Sequence, residues 1–178
     1  MDNSNLKKEI LEWVKTIAVS VVIAFFITLF VRPTLVQGKS MYPTLNPNDY
    51  LIVNKVAYKS EMPKKGDIVI FKSDLKREDG KTKDLIKRVI GLPGDHVVVE
   101  NGEVYVNDLK LEEEYINGDY TQGDVDVLIP KDHLFAMGDN RPNSLDSRSS
   151  SVGLVDKEEL VGKAFLRLFP FNKIGFLK

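Results

Sequence analysis

From Thr16 to Val31 the chain carries no charged residue. Built as a helix, that core spans about 24 Å, and Trp13 to Val31 about 28 Å, against roughly 30 Å of bilayer hydrocarbon. A core helix of a water-soluble domain would show a polar face, and this segment has none. Trp13 suits a membrane interface, and Lys15 can extend its amine to the near headgroups. Lys7, Lys8 and Lys15 precede the apolar core, while Arg32 and Lys39 follow it. That small excess predicts the N-terminus inside and the remainder exported. The stretch is longer than the apolar part of a cleaved leader, and Val31-Arg32-Pro33-Thr34 offers no small-x-small cleavage site. The expected organisation is a cytoplasmic segment at residues 1–12, a single-pass anchor in the cytoplasmic membrane at 13–31, and an extracytoplasmic domain at 32–178.

Beyond Arg32-Pro33, where proline predicts the end of the helix, the signals are mostly β. Residues 50–54, 67–71 and 84–91 are candidate strands. Residues 96–100 and 103–106 flank Asn101-Gly102, a strong hairpin signal. Residues 124–129, 133–137 and 164–169 complete the set, and 157–161 suggest a short helical turn. The polar stretch 73–83 reads as an exposed hairpin loop, and the acidic, turn-rich stretch 112–124 as a surface excursion. Many short strands with turn punctuation predict a mainly β fold, a twisted, barrel-like antiparallel domain behind one N-terminal transmembrane helix.

Composition removes several chemistries. With no cysteine among 178 residues, disulfides, thiolate catalysis and Cys-based zinc sites are excluded. The two histidines, His96 and His133, lie in no recognisable catalytic context. Lys and Arg (25) nearly balance Asp and Glu (26), so nothing suggests a nucleic-acid partner.

Three segments can carry chemistry. Ser40 lies between Gly38, which permits unusual backbone angles, and Pro43, which fixes the chain beyond. Such a turn can expose the hydroxyl and aim a backbone N–H at a developing oxyanion. A nucleophilic serine also needs a base. Lys87 is one candidate: in a strand it shares a face with Leu85 and Val89, where desolvation would lower its pKa. The alternative is an exposed Lys87 with Arg88 turned inward. Lys39 is a rival base, though neighbouring strand side chains point to opposite faces. The third segment runs from Met137 through Gly138, Asp139 and Asn140 to Ser144, Asp146 and Arg148. It is too long for one turn. It is either an exposed polar loop or a hydrogen-bonded network bracing a site, with an Asp146–Arg148 ion pair and a Ser144 hydroxyl beside the lysine amine.

Taken in order, these motifs resemble those of bacterial type I signal peptidases, in the short single-anchor form of Gram-positive bacteria. The resemblance covers the anchor, residues 38–45, 66–71, 86–95 and 138–148. It implies a membrane-bound serine endopeptidase that removes signal peptides from secretory preproteins after a small-x-small motif such as Ala-x-Ala. It implies Ser40 as nucleophile, Lys87 as general base, and Ser144, Asp146 and Arg148 as support. It also implies substrate contacts at Val36, Gly38, Met41, Pro43, Leu45, Leu85 and Ile86, a phospholipid bilayer as partner, and no metal or cofactor. At the Gly38 position the family can carry a serine that completes the oxyanion hole; here glycine leaves the Ser40 N–H as the main expected donor. Two other readings compete: a self-cleaving repressor-type protease, which should be soluble and carry a DNA-binding domain, and a membrane-tethered non-catalytic module or inactive homologue, which would typically lack the serine or the lysine.

Overall fold

The computed structural model describes residues 3–76, 80, 82–116, 118 and 120–177. It opens with helix α1, Asn3–Phe30. From Lys7 to Phe30 its side chains are exposed all round, with no protein packed against them. From Thr16 to Phe30 that exposed circumference carries no charge, the form expected of a helix solvated by lipid. The helix stops at Phe30, where Lys55 takes up its C-terminal carbonyls: the Lys55 N–H donates to Phe30 O (2.9 Å) and Nζ to Thr28 O (3.3 Å).

Twelve strands follow among the described residues. They are β1 Val31–Leu35, β2 Tyr50–Asn54, β3 Ile68–Lys76, β4 Thr82–Gly91, β5 His96–Glu100 and β6 Glu103–Val106. The rest are β7 Leu109–Lys110, β8 Val125–Leu128, β9 His133–Met137, β10 Val155–Asp156, β11 Leu160–Phe169 and β12 Gly175–Phe176. One sheet runs β1-β2-β11-β3-β4-β9-β10, with β12 beside β11, and a smaller one runs β7-β6-β5-β8; every pairing is antiparallel. The hairpin expected at Asn101-Gly102 forms: both residues take positive φ (51° and 86°), as a tight two-residue turn requires, and Glu100 faces Glu103.

Three expectations need correction. The chain leaves the helix one residue before Val31 and goes directly into β1, which escaped detection because Arg32 and Pro33 looked like a turn. Pro33 is tolerated there because β1 is an edge strand, whose outer side needs no N–H donor. The polar stretch 73–83 is not all loop. β3 runs to Lys76 and β4 begins at Thr82, and buried Ser73 donates to Lys83 O (2.6 Å). Residues 77–79 and 81 of that expected loop lie outside the described residues. The helical turn near residue 157 is a 3-10 turn, Lys157–Glu159, and β11 starts immediately after it, earlier than expected.

Two features of the large sheet position the site. β4 pairs with β3 from Thr82 to Arg88, but with β9 only from Arg88 to Gly91. The side of β4 toward β9 is therefore unpaired over residues 82–87. β1 has a free outer edge as well. The sheet curls so that these two edges face one another across a groove lined by residues 32–35 and 82–84, bridged by an Arg32–Asp84 ion pair (3.1 Å).

Apolar side chains fill the layer beneath the turn that carries Ser40. Val36, Met41, Leu45, Leu51, Ile68 and Ala164 pack as one buried cluster. Leu45 is fully buried there (0 % exposed), so it supports the turn from below and does not face the groove. Leu45→Ala should cost about 2–5 kcal/mol of stability, the range for emptying a well-packed leucine site. Urea unfolding of the detergent-solubilised protein measures this, and the midpoint should fall.

Candidate active site

The loop between β1 and β2 carries Ser40. Its neck is closed by Val36 N–H to Asp49 O and Asn48 N–H to Val36 O, both 2.9 Å. Asp49 accepts from the Asn46 N–H (3.0 Å) and from Arg167 (2.9 Å), which also reaches Thr44 O (3.0 Å). Gly38 turns the chain with φ of +88°, a region that favours glycine. Space around it is open, so conformation and not crowding selects the residue. Ser40 is half-buried, and its N–H donates to no acceptor among the described residues.

Lys87 reaches Ser40 from β4. Its side chain is buried (2 % exposed), and Nζ donates to Ser40 Oγ at 2.8 Å and to Ile86 O at 3.1 Å. Burial pushes its pKa down to about 8; the charge of Asp146 works against this, Lys83 and Arg148 add to it, and Asp139 opposes it. Lys39 is exposed. The choice between Lys87 and Arg88 as the inward side chain dissolves, because β4 is covered on both faces and both are buried. Arg88 pairs with Asp139 through two bonds (2.9 and 2.8 Å), donates to Gly66 O (3.0 Å), and lies under the Tyr115 ring, 4.0 Å from its centroid.

The polar segment 137–148 is a network and not an exposed loop. Arg148 grips Asp146 with Nε to Oδ1 (2.8 Å) and Nη2 to Oδ2 (2.9 Å), the expected ion pair. Burial opposes ionisation of Asp146, but these bonds and the guanidinium charge outweigh it and hold the carboxyl below the usual range. Asp146 also accepts from the Gly138 N–H (3.0 Å). Asn140 joins the network to the Ser40 turn: its N–H donates to Ser40 O (3.0 Å) and its amide to Lys39 O (2.9 Å). Ser144 Oγ is buried beside Gly138 and makes no hydrogen bond to Lys87 among the described residues, so the anticipated contact with the lysine amine is not made.

A cleft of about 220 Å³ opens over Ser40 and Lys87, lined by Val36, Gly38, Met41, Leu85 and Ile86 among others. Two expected substrate-contact residues are absent from it: Pro43 is exposed outside the cleft, and Leu45 lies in the core below. Leu75, Lys83, Asp84, Asn143 and Leu145 line it instead. Leu75 was detectable as an isolated apolar residue in a polar stretch. Glu113 gave no local signal within its acidic run, yet it clamps buried Arg141 (2.6 Å to Oε2), whose Nε donates to Gly138 O (3.1 Å).

A family model described as "Signal peptidase, peptidase S26" matches residues 10–169. The chain belongs to the signal peptidase family, peptidase S26. Signal peptidase IB of Staphylococcus aureus (strain COL) is 40% identical, with 94% of each chain covered. Signal peptidase I P of Bacillus subtilis subsp. natto is 39% identical over 97% of this chain and 96% of its own length. A crystal structure of a signal peptidase I from Enterococcus faecalis V583 is 30% identical, covering 58% of this chain and 97% of that one, with a TM-score of 0.48. The family makes this chain a membrane-bound serine endopeptidase of signal peptides, with a mainly β fold behind one N-terminal transmembrane helix.

Gly138 is the seam of the site. A Cβ there would stand 2.4 Å from Ser40 O and 2.2 Å from Ser144 Oγ. Gly138→Ala should displace the Ser40 turn and lower signal-peptide cleavage by about 100-fold, the scale of an ångström-sized misplacement. A steady-state assay alongside a thermal melt checks that the loss exceeds any fraction unfolded.

Proposed function

We propose that Ser40 is the nucleophile and Lys87 the general base of signal-peptide cleavage, acting on secretory preproteins after a small-x-small motif. The observation that carries this is the 2.8 Å approach of buried Lys87 Nζ to Ser40 Oγ. With a pKa of about 8, the amine is neutral in a useful fraction of molecules near neutral pH. When neutral, its lone pair accepts the Ser40 proton as Oγ attacks the scissile carbonyl carbon. The tetrahedral oxyanion faces the uncommitted Ser40 N–H. Collapse expels the new N-terminal amine, which takes the proton from Lys87, and leaves an ester on Ser40. Lys87 then accepts a proton from water, whose oxygen attacks the ester carbonyl; as the bond to Oγ breaks, Lys87 returns that proton to Ser40, and the signal peptide leaves as a carboxylic acid that ionises in solution.

In this reading Asp146 and Arg148 brace the site from behind through the Gly138 N–H, and Ser144 packs against Gly138, so their support reaches Ser40 and Lys87 through that seam. The substrate lies extended in the groove between the free edges of β1 and β4, where its main chain completes the sheet. Val36, Met41, Leu85 and Ile86, with Leu75 and Leu145, form shallow apolar walls that admit alanine and exclude bulk. α1 spans the cytoplasmic membrane with its N-terminus inside, so the catalytic domain works on the outer face. Exposed Leu35, Tyr50, Phe169, Phe171, Ile174 and Phe176 form an apolar surface that rests on lipid. Leu35 faces Tyr50, and Tyr50 faces Phe169, across three strands, which supports one continuous patch.

Detergent-solubilised protein should cut a preprotein after the second alanine of Ala-x-Ala, located by mass spectrometry. Ser40→Ala and Lys87→Ala should remain folded and cut nothing, while Lys39→Ala still cleaves. The reverse pattern would transfer the role of base to Lys39.

The kcat/KM profile should rise with pH through a limb near 8, because deprotonation creates the active amine. A limb at the ordinary lysine value of about 10.4 would exclude a desolvated base.

A further inference from the structure

Charge is distributed unevenly along the cleft. Its end away from the dyad continues into the groove between β1 and β4, which shares Gln37, Lys83, Asp84 and Ile86 with the cleft over Ser40. Arg32, Lys39 and Lys83 line this path, against Asp84 as the one carboxylate. Asp84 is already paired with Arg32 across the groove. Lys83 has no ion-pair partner among the described residues. It lies on the β4 face that carries Leu85 and Lys87, and its charge reaches Lys87 strongly enough to help depress the amine. The path also has a direction. Arg32 lies two residues beyond the end of α1, so the groove leads from Ser40 toward the membrane end of the domain. The apolar part of a signal peptide, upstream of the cut, must come from that side.

We infer that Lys83 is a specificity-determining residue, making the upstream half of the cleft a charge filter that favours acidic and disfavours basic side chains just before the small-x-small motif. This rests on the signal-peptidase reading of the cleft proposed above. Lys83 and Lys87 are four residues apart on one strand, about 13 Å. An extended substrate along β4 therefore brings its fourth and fifth residues before the cut to Lys83. The Arg32–Asp84 pair closes the far end of the filter and leaves the ammonium groups of Lys83 and, nearer Ser40, Lys39 without a carboxylate among the described residues; of the two, Lys83 is the one on the strand beside the upstream residues.

The test uses the full-length enzyme in detergent and three substrates. They share one Ala-x-Ala site and carry Glu, Gln or Lys at both the fourth and fifth residues before the cut. At low salt the wild type should show kcat/KM in the order Glu, Gln, Lys, with a Glu-to-Lys ratio of about two- to fivefold, the scale of exposed charge pairs. High salt should shrink the ratio. Lys83→Glu should reverse the order. It should also move the limb near 8 to higher pH, since an acidic group would then join Asp146 and Asp139 in stabilising the Lys87 ammonium against Arg148. A structural role alone would produce neither the reversal nor the shift. Cleavage of all three substrates without preference for Glu, or an unchanged order in Lys83→Glu, overturns the filter and leaves the dyad standing. Failure of the wild type to cut any of them overturns the cleavage reading and the filter with it.

Discussion

An amine buried beneath a protein surface must find a carboxylate or give up its proton, and the architecture here withholds the carboxylate. Lys87 Nζ touches only Ser40 Oγ and Ile86 O among the described residues. Asp146 and Asp139 are close enough to act on it through space, but each is gripped by an arginine of its own, Arg148 and Arg88. The amine thus bears the desolvation of burial without the ion pair that would offset it, and its pKa falls to about 8. A neutral lysine in contact with a serine hydroxyl needs no histidine, metal or cofactor to act as a base.

Much of the surrounding fold can be understood as maintenance of that contact. Ser40 and Lys87 come from distant parts of the chain, so their spacing depends on the large sheet and on the seam at Gly138. There the network behind the dyad meets the Ser40 turn at van der Waals limits. The segment containing Glu113 and Tyr115 reaches back over both buried arginines of this network, Arg141 and Arg88. The open half of β4 and the free edge of β1 leave the sheet incomplete beside Ser40 and Lys87.

How much of this was legible beforehand depended on whether the decisive information was local. The anchor was legible because hydrocarbon thickness dictates a length and an absence of charge. The Asn101-Gly102 hairpin was legible because turn geometry demands those residues. Ser40, Lys87 and the Asp146–Arg148 pair stood out through ordered motifs and the family resemblance. Leu45 was misread because a residue on the turn that carries Ser40 can lie above or below it, and only packing against Leu51, Ile68 and Ala164 decides which. β1 was missed because proline reads as a break unless the strand is known to lie at an edge. The burial of both Lys87 and Arg88 was hidden because alternation assigns one face to the interior, whereas here β4 is covered on both. Glu113 was invisible because its partner Arg141 is contiguous only in space.

The most direct measurement is the titration of the Lys87 side chain itself, followed by NMR of lysine-labelled protein in detergent with Lys87→Ala to assign the signal. One lysine signal should titrate near pH 8 and disappear in the variant. If the signal lost in Lys87→Ala instead titrates at the ordinary lysine value of about 10.4, Lys87 is an ordinary ammonium at neutral pH and the account of the dyad fails.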